Sequence, residues 1–390
     1  MSRLRFGVFM APFHVPAGQN PTAAFARDVA TIKQLDQLGY DEAWIGEHHS
    51  CGSEIIASPE IFIAHVAAQT DRIKLGTGVL SLPYHNPLWV ADRAILLDHL
   101  TRGRFMLGLG PGALPTDAAM IGIEPSEQRQ ALEEDTEVLV HLLRSDEPIS
   151  RTTPRYTLVD ARCQLRPYSD PCFDIGIAAI ASPSGPRVAG QHGLSLLSIG
   201  ATLVGDLDLL AMHWDVAEER AAEFGTRVDR GGWRLVGPMH IAETREQALR
   251  DVEYGIEAWF DYLQHTAAAP QFHPLGDTLQ ERVAWVNESG VGVIGTPDDA
   301  VTKIDELTKQ SNGGFGCYLM MAHEWARPDA VARHYELFAQ HVMPRFQGSA
   351  DRLLASERWA QGRWDELNTK QADALAAWTD KHAKERANKS

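Results

Sequence analysis

Very little in this chain suits a membrane, a disulfide framework or a nucleic acid. No apolar run approaches the roughly 20 residues a helix needs to cross a bilayer. The opening MSRLR leads straight into a strand-like FGVFM, without the anatomy of a signal peptide. There are only 4 cysteines, Cys51, Cys163, Cys172 and Cys317, and no two form a CxxC pair. That pattern suits free thiols in a reducing cytoplasm and argues against a disulfide scaffold or zinc knuckle. Positive charge is short as well: 36 Lys and Arg stand against 52 Asp and Glu, a formal net charge of −16. Such an acidic excess speaks against nucleic acid and against an anionic membrane surface as partners. Also missing are H-x-H on the first strand-like run and H-E-x-x-H anywhere, two common marks of a metal site. A G-x-G-x-x-G after that run, which an open dinucleotide-binding sheet carries, is absent too. The expectation is a cytoplasmic protein with no metal.

What is present is a repeat of strand, loop and helix. LRFGVFM (4–10) reads as a strand, and NPTAAFARDVATIKQLDQLGY (20–40) as a helix with Pro21 near its start and Gly39 as its stop. EAWIG is a second strand; SPEIFIAHVAAQT, with Pro59 in its first turn, is a helix; IKLGTGV is a third strand. NPLWVADRAILLDHLT is a helix ended by Arg102-Gly103, and RFMLGLG is a fourth strand. Further strands are read at FDIGIAAI (173–180), LSLLSIG (194–200), RLVGPMHIA (234–242) and FGCYLMMA (315–322). Alternation of this kind gives a parallel sheet covered by helices. Eight strands without a nucleotide fingerprint favour α/β architecture closed as a (β/α)₈ TIM barrel. Residues 1–348 are read as the barrel domain, with βα-loop insertions at about 113–168 and 262–290, and 349–390 as a helical C-terminal tail. Loops that long often act as lids.

In such a barrel the active site lies at the C-terminal ends of the strands. That rule selects Pro12, Phe13 and His14; Glu47, His48 and His49; Gly76 to Val79; GLGPGALPTD (108–117); IASPSGPR (180–187); His240; and His323 with Glu324. Three readings of the histidines compete: metal ligands, capping residues that fix a loop, or groups facing an organic cofactor. SPSGPR places Ser182, Ser184 and Gly185 at a helix start, where backbone N–H groups and the helix dipole hold an anion, with Arg187 close by. GTPDDAV (295–301) carries a similar signal, read as a plain cap of Thr296 before Pro297.

Longer stretches then narrow the choice. GYDEAWIGEHH, LGTGVLSLPYHNPLWVADRAILLDHLTRGRFMLGLGPG, GTPDD at 295 and VMP at 342–344 resemble the bacterial-luciferase-like flavin monooxygenases. The similarity spans about residues 4–346. DEAWIGEHHS, ASPE and LSLPYHNPL are most like the limonene 1,2-monooxygenase type. The combination is specific, whereas EHH alone is not.

The resemblance implies a barrel that binds reduced flavin (FMN or FAD) at the strand ends and draws electrons from a separate NAD(P)H:flavin reductase. O₂ then adds to the flavin as a 4a-hydroperoxide, which oxygenates or epoxidises an apolar small molecule. It also implies a homodimer. Glu47 and His48 match the family's active-site acidic residue and catalytic histidine, with His49 their neighbour. Gly78-Val79, after Thr77, matches a non-prolyl cis peptide lying against the flavin ring, and Gly110 lies on the fourth strand's side of the site. Ser182 and Gly185 match the phosphate loop, with Ser184 between them. Where luciferases carry Cys-Arg, this chain has Gly110-Pro111; Leu114 replaces a tyrosine and Ala181 an acidic residue. The phosphate is then expected on Arg187, and His14, Leu114, His240, Met321 and His323 around the substrate. His48 is the expected acid/base group, with Glu47 orienting it or touching flavin. Two other functions fit the same barrel: a deazaflavin-dependent hydride transfer, and flavin binding without catalysis.

Overall fold

A computed structural model describes residues 3–15, 18–202, 209–267 and 276–388. The chain forms two compact units, Met1–Met343 and Pro344–Ser390. Eight strands build the first: β1 (Arg5–Met10), β2 (Glu42–Ile45), β3 (Lys74–Thr77), β4 (Phe105–Gly110), β5 (Asp174–Ala179), β6 (Ser195–Ser198), β7 (Arg234–Ile241) and β8 (Cys317–Met321). Each pairs in parallel with the next, and β8 pairs with β1 through Arg5↔Cys317 to Phe9↔Met321. The sheet is therefore a closed barrel. Two short strands extend it, Leu80–Ser81 beside β4 and Val293–Gly295 beside the end of β7.

Local chemistry sets the helices between the strands. Asn20 caps α1 (Pro21–Leu38) by accepting from the Thr22 N–H, and Gly39 at φ 85° ends it in the left-handed conformation. Pro59 and Pro87 open α2 (Pro59–Ala67) and α3 (Pro87–Thr101). Thr296 forms the expected cap of the helix Pro297–Gln310, as a capping box with Asp299.

The segment 113–168 is more ordered than a plain insertion. It holds a short helix, Pro115–Ile121, a long one, Gln128–Arg144, and an antiparallel hairpin of Ile149–Thr152 with Thr157–Ala161. Gln128–Arg144 packs against α3 and the helix Ser184–His192, so it serves as the outer-layer helix after β4. Within 262–290 the structure has the end of the helix Ile256–His265 and the helix Leu279–Ser289. Residues 268–275 of that stretch lie outside the described residues.

Inside the barrel, Trp44 is fully buried among Phe9, Met106, Leu197, Val236 and Leu319. The strand glycines make room for it: a Cβ on Gly76 would stand 2.7 Å from the indole. At the N-terminal ends of the strands, the buried Arg234 donates to both carboxylate oxygens of Glu42 (2.8 and 3.1 Å) and to Asp174 (2.6 Å). Arg5 adds a bond of 2.9 Å to Glu42. Burial alone would raise the Glu42 carboxyl, but the guanidinium beside it holds it down to about 2. A buried ion group of this kind persists because each polar atom has a partner. It closes the end of the barrel opposite the candidate site.

The second unit takes in most of the helix Met343–Gln347 and, after it, the helices Asp351–Gly362 and Trp364–Ala387, neither of which has a buried residue. No helix among the described residues is long and apolar enough to cross a membrane.

Candidate active site

The chain leaves β2 through Gly46, whose N–H donates to Met10 O at 2.7 Å, and delivers Glu47, His48 and His49 to the barrel mouth. Each of the three then takes different partners. The Glu47 carboxylate is buried and accepts from the Ser81 N–H (2.6 Å), from His85 Nε2 (2.7 Å) and from His49 Nε2 (3.0 Å). Burial would raise its pKa, but these donors keep it below the usual carboxylate value. Glu47 is thus an ionised anchor that ties together the loops after β2 and β3.

His48 belongs to a second system. Its Nδ1 lies 3.1 Å from Asp117 Oδ2 and its Nε2 lies 2.8 Å from Glu54 Oε2. Burial would push the imidazole down, yet Glu54 and Asp117 outweigh it and hold the ring well above its ordinary value. Asp117 also accepts from the His49 backbone N–H (3.0 Å) and the Ser50 hydroxyl (2.5 Å). Glu47, expected to orient His48 or to touch flavin, hydrogen-bonds His49 and His85; the carboxylates on the His48 ring are Asp117 and Glu54. In the sequence, contiguity suggested a Glu47–His48 pair. In space, the loop turns the two side chains into separate networks.

Between these networks and the far side of the mouth lies a cavity of about 190 Å³. Phe9, Val79, Leu114, Ile199 and Met321 give it apolar walls, and Glu47, His48, Glu54 and Ser81 supply a polar one. The Gly78-Val79 peptide on its wall is cis. Gly110 backs that wall: a Cβ there would lie 2.5 Å from Val79 Cγ2. Tyr262 and Trp259, from the helix Ile256–His265, cover another side.

Other expected residues are placed differently. Thr77 is fully buried and spends its hydroxyl on the Gly108 backbone, donating to O at 2.7 Å and accepting from N at 2.9 Å. It ties β3 to β4 and does not line the cavity. Ser182 and Ser184 stand at the start of the helix Ser184–His192, their hydroxyls 2.9 Å apart, shortly after the cavity-lining Ile180 in the chain. Gly185 lies on the β5 backbone, where a Cβ would meet Ala178 O at 2.1 Å. Arg187 is exposed on the same helix.

Three histidines leave the expected substrate lining. His14 is clamped between Asp28 (3.1 Å) and Glu324 (2.8 Å). Burial would lower it, but the two carboxylates raise it to about 9. His323 donates from Nε2 to Met239 O (3.0 Å), accepts from the Trp325 N–H (3.2 Å) and stacks on the Trp325 ring at 4.0 Å. Burial lowers it to about 3. His240 bonds Asp251 at 3.2 Å and packs against His334. All three are engaged by partners outside the mouth cavity, and none of them lines it. His14 and His323 border a different cavity of about 210 Å³, between α1 and the helix Pro328–Leu337.

Sequence reasoning did not single out Glu54, Ser81, His85 or Tyr262, and it reached Asp117 only as the last residue of the selected stretch GLGPGALPTD. The first three come after β2 or β3, so the strand-end rule applied to whole loops would have flagged them, whereas Tyr262 comes from a helix over the mouth.

The mouth thus combines an apolar slot with one wall of carboxylates and imidazole. A family model described as luciferase-like monooxygenase matches residues 4–312 of the chain. The chain belongs to this family of enzymes. It is 46% identical over 350 residues to limonene 1,2-monooxygenase of Rhodococcus erythropolis, covering 89% of this chain and 87% of that one. It is 41% identical over 363 residues to 4-hydroxyprotoasukamycin monooxygenase of Streptomyces nodosus subsp. asukaensis, covering 92% and 96%. Among solved structures it resembles the oxygenating constituent of 3,6-diketocamphane monooxygenase of Pseudomonas putida, a type II Baeyer–Villiger monooxygenase in complex with FMN. The TM-score is 0.71 at 25% identity, with 88% and 99% of the two chains covered.

Proposed function

We propose that the protein is a two-component flavin-dependent monooxygenase that takes reduced flavin and O₂ and oxygenates or epoxidises an apolar small molecule. The observation that carries this reading is the composition of the mouth cavity, apolar on most sides with His48 and Glu54 on one. A terpene-like hydrocarbon suits such walls, and the likeness to a limonene monooxygenase supports that class.

The residues present fit a flavin. Val79, Leu114 and Met321 offer faces for a planar ring. Ser182, Ser184 and the N–H groups opening the helix Ser184–His192 would hold its phosphate, with Arg187 swinging in from the surface. Reduced flavin, when bound, supplies the electrons that activate dioxygen. The chain's part is to orient the substrate, exclude water and deliver one proton. His48, kept charged by its two carboxylates, is the proton donor in this reading; Glu47 and His49 hold the loop that presents it.

Electrons come from a separate NAD(P)H:flavin reductase, as the likeness to one constituent of a type II system supports. A homodimer is supported by exposed apolar side chains on α2 and α3: Ile61 (73% exposed), Trp89 (62%), Leu96 (52%) and Leu100 (63%). Anaerobic titration with reduced FMN, reduced FAD and reduced deazaflavin, followed by rapid mixing with oxygen, tests the reading. Saturable binding of reduced FMN or FAD and an oxygen-dependent spectral change are expected. Binding of reduced deazaflavin alone would replace the oxygenase with a hydride-transfer enzyme.

A further inference from the structure

Nothing in the family likeness calls on Glu54, yet it is the carboxylate nearest the proton donor on the cavity side. Its Oε2 stands 2.8 Å from His48 Nε2. Asp117 takes the other ring nitrogen at 3.1 Å from behind, its side chain 3% exposed against 12% for Glu54. A neutral imidazole has one N–H and can donate to one carboxylate only; an imidazolium has two and satisfies both. The arrangement of two carboxylates on one ring therefore selects the charged form of His48.

The bond is not required to fold the loop. The His48 N–H already donates to Ile56 O (3.1 Å), the Glu54 N–H to Cys51 Sγ (3.2 Å), and Glu54 pairs by backbone with Phe13. The Glu54 side chain adds a charge at the cavity wall, where Tyr262 also reaches it.

We propose that Glu54 is a positioning residue for proton delivery: with Asp117 it grips both nitrogens of His48 and keeps the ring protonated at the cavity wall before substrate arrives. Its chemical purpose rests on the oxygenase reading above; its effect on His48 does not. When the Nε2 proton passes to the Glu54 carboxylate and Glu54 hands one to the oxygen anion formed in the cavity, the imidazolium becomes neutral imidazole and Glu54 is left as a carboxylate without its donor. A proton taken up from solvent restores the pair. Groups around the ring are Glu47, His49, Cys51 and Glu54 on its own loop, Asp117 on the helix Pro115–Ile121, and, beside Glu54, Tyr262 on the helix Ile256–His265. Burial and His49 oppose the charge on His48; Glu54, Asp117 and Cys51 favour it.

The test is an NMR titration of histidine-labelled whole protein without flavin, the His48 signal being assigned by its loss in H48Q. In the parent protein the His48 midpoint should lie above the ordinary value of about 6.5. In E54Q, which keeps shape and hydrogen bonding, it should fall by about one pH unit or more. The pH limb of product formed per O₂ consumed should move down by a similar interval. D117N, on the opposite nitrogen, gives a second reading should E54Q fold poorly. A parent midpoint at or below 6.5, or an E54Q midpoint equal to the parent's, overturns the inference. A protein that consumes no oxygen with reduced flavin but shows the midpoint shift overturns the oxygenase reading while keeping Glu54's hold on His48.

Discussion

Glu47 and His48 are adjacent in the chain, yet the Glu47 carboxylate bonds His49 at 3.0 Å and His85 at 2.7 Å, while His48 bonds Asp117 and Glu54. In the proposed reading one residue anchors the loop and its neighbour holds a proton. This division of labour lets the two positions be told apart by experiment.

His48→Ala should leave the fold and flavin binding nearly intact, because the side chain lies at the mouth and not in the layered barrel core. Coupled oxygenation should fall by about 10²–10⁴-fold, the range for lost general acid catalysis. Oxygen consumption should continue and end in hydrogen peroxide. Product and peroxide measured together check this; undiminished product yield would give His48 a structural role only.

Glu47→Ala should act on stability first. It leaves the buried Ser81 N–H and two histidines without their acceptor, a loss of about 1–3 kcal/mol. The urea midpoint should drop, and flavin binding should weaken as the loop loosens. Glu47→Gln, which keeps an acceptor oxygen, should lose less. Equal stability of all three proteins would show that Glu47 does not anchor the loop.

Stability should depend on pH from both sides. His323, His334 and His240 are pushed down by burial, so in the acid range the unfolded chain takes protons that the folded one refuses. Their contribution is complete above about 6.5 and is lost as pH falls below it. His14 works in the opposite direction: its folded value of about 9 stabilises fully below 6.5 and is lost as pH rises through 9. Melting temperature should therefore fall off on both limbs, and His14→Gln should flatten the alkaline one. An alkaline limb of unchanged slope in that variant would contradict the assignment.

Arg187 is the cation nearest the expected phosphate loop in sequence, and it is exposed with room to move. Arg187→Ala should weaken FMN binding about 10-fold or more, the equivalent of one charge-assisted hydrogen bond of about 1.5–3 kcal/mol. Riboflavin, which lacks the phosphate, should bind both proteins alike. FMN affinity unchanged by the substitution would take Arg187 out of the site.

Much of this was legible in the sequence. The eight strand-like runs, Pro21, Pro59 and Pro87 at helix starts, and Gly39 as a stop describe local physics, and all appear in the structure where expected. Strand-end placement brought Glu47, His48, Gly78, Val79, Leu114 and Met321 to one cavity. What stayed hidden depends on side-chain direction and on contacts distant along the chain. His14 and His323 also follow strands and His240 lies near the end of β7, but their rings bond Asp28, the Met239 carbonyl and Asp251 in turn, away from the mouth cavity. Asp117 comes 69 positions after His48, and no local spacing connects them. The helix Gln128–Arg144 was hidden because a long loop and a short helix separate it from β4.

The central claim, oxygenation with reduced flavin, is tested most directly with ¹⁸O₂. The protein, a flavin reductase, NADH, FMN or FAD and a terpene-like substrate are incubated under labelled dioxygen, and the product is weighed by mass spectrometry. The account predicts one ¹⁸O atom per product molecule, none from labelled water, and loss of product when the reductase is omitted. Unlabelled product, or turnover that proceeds without oxygen on reduced deazaflavin, would contradict it.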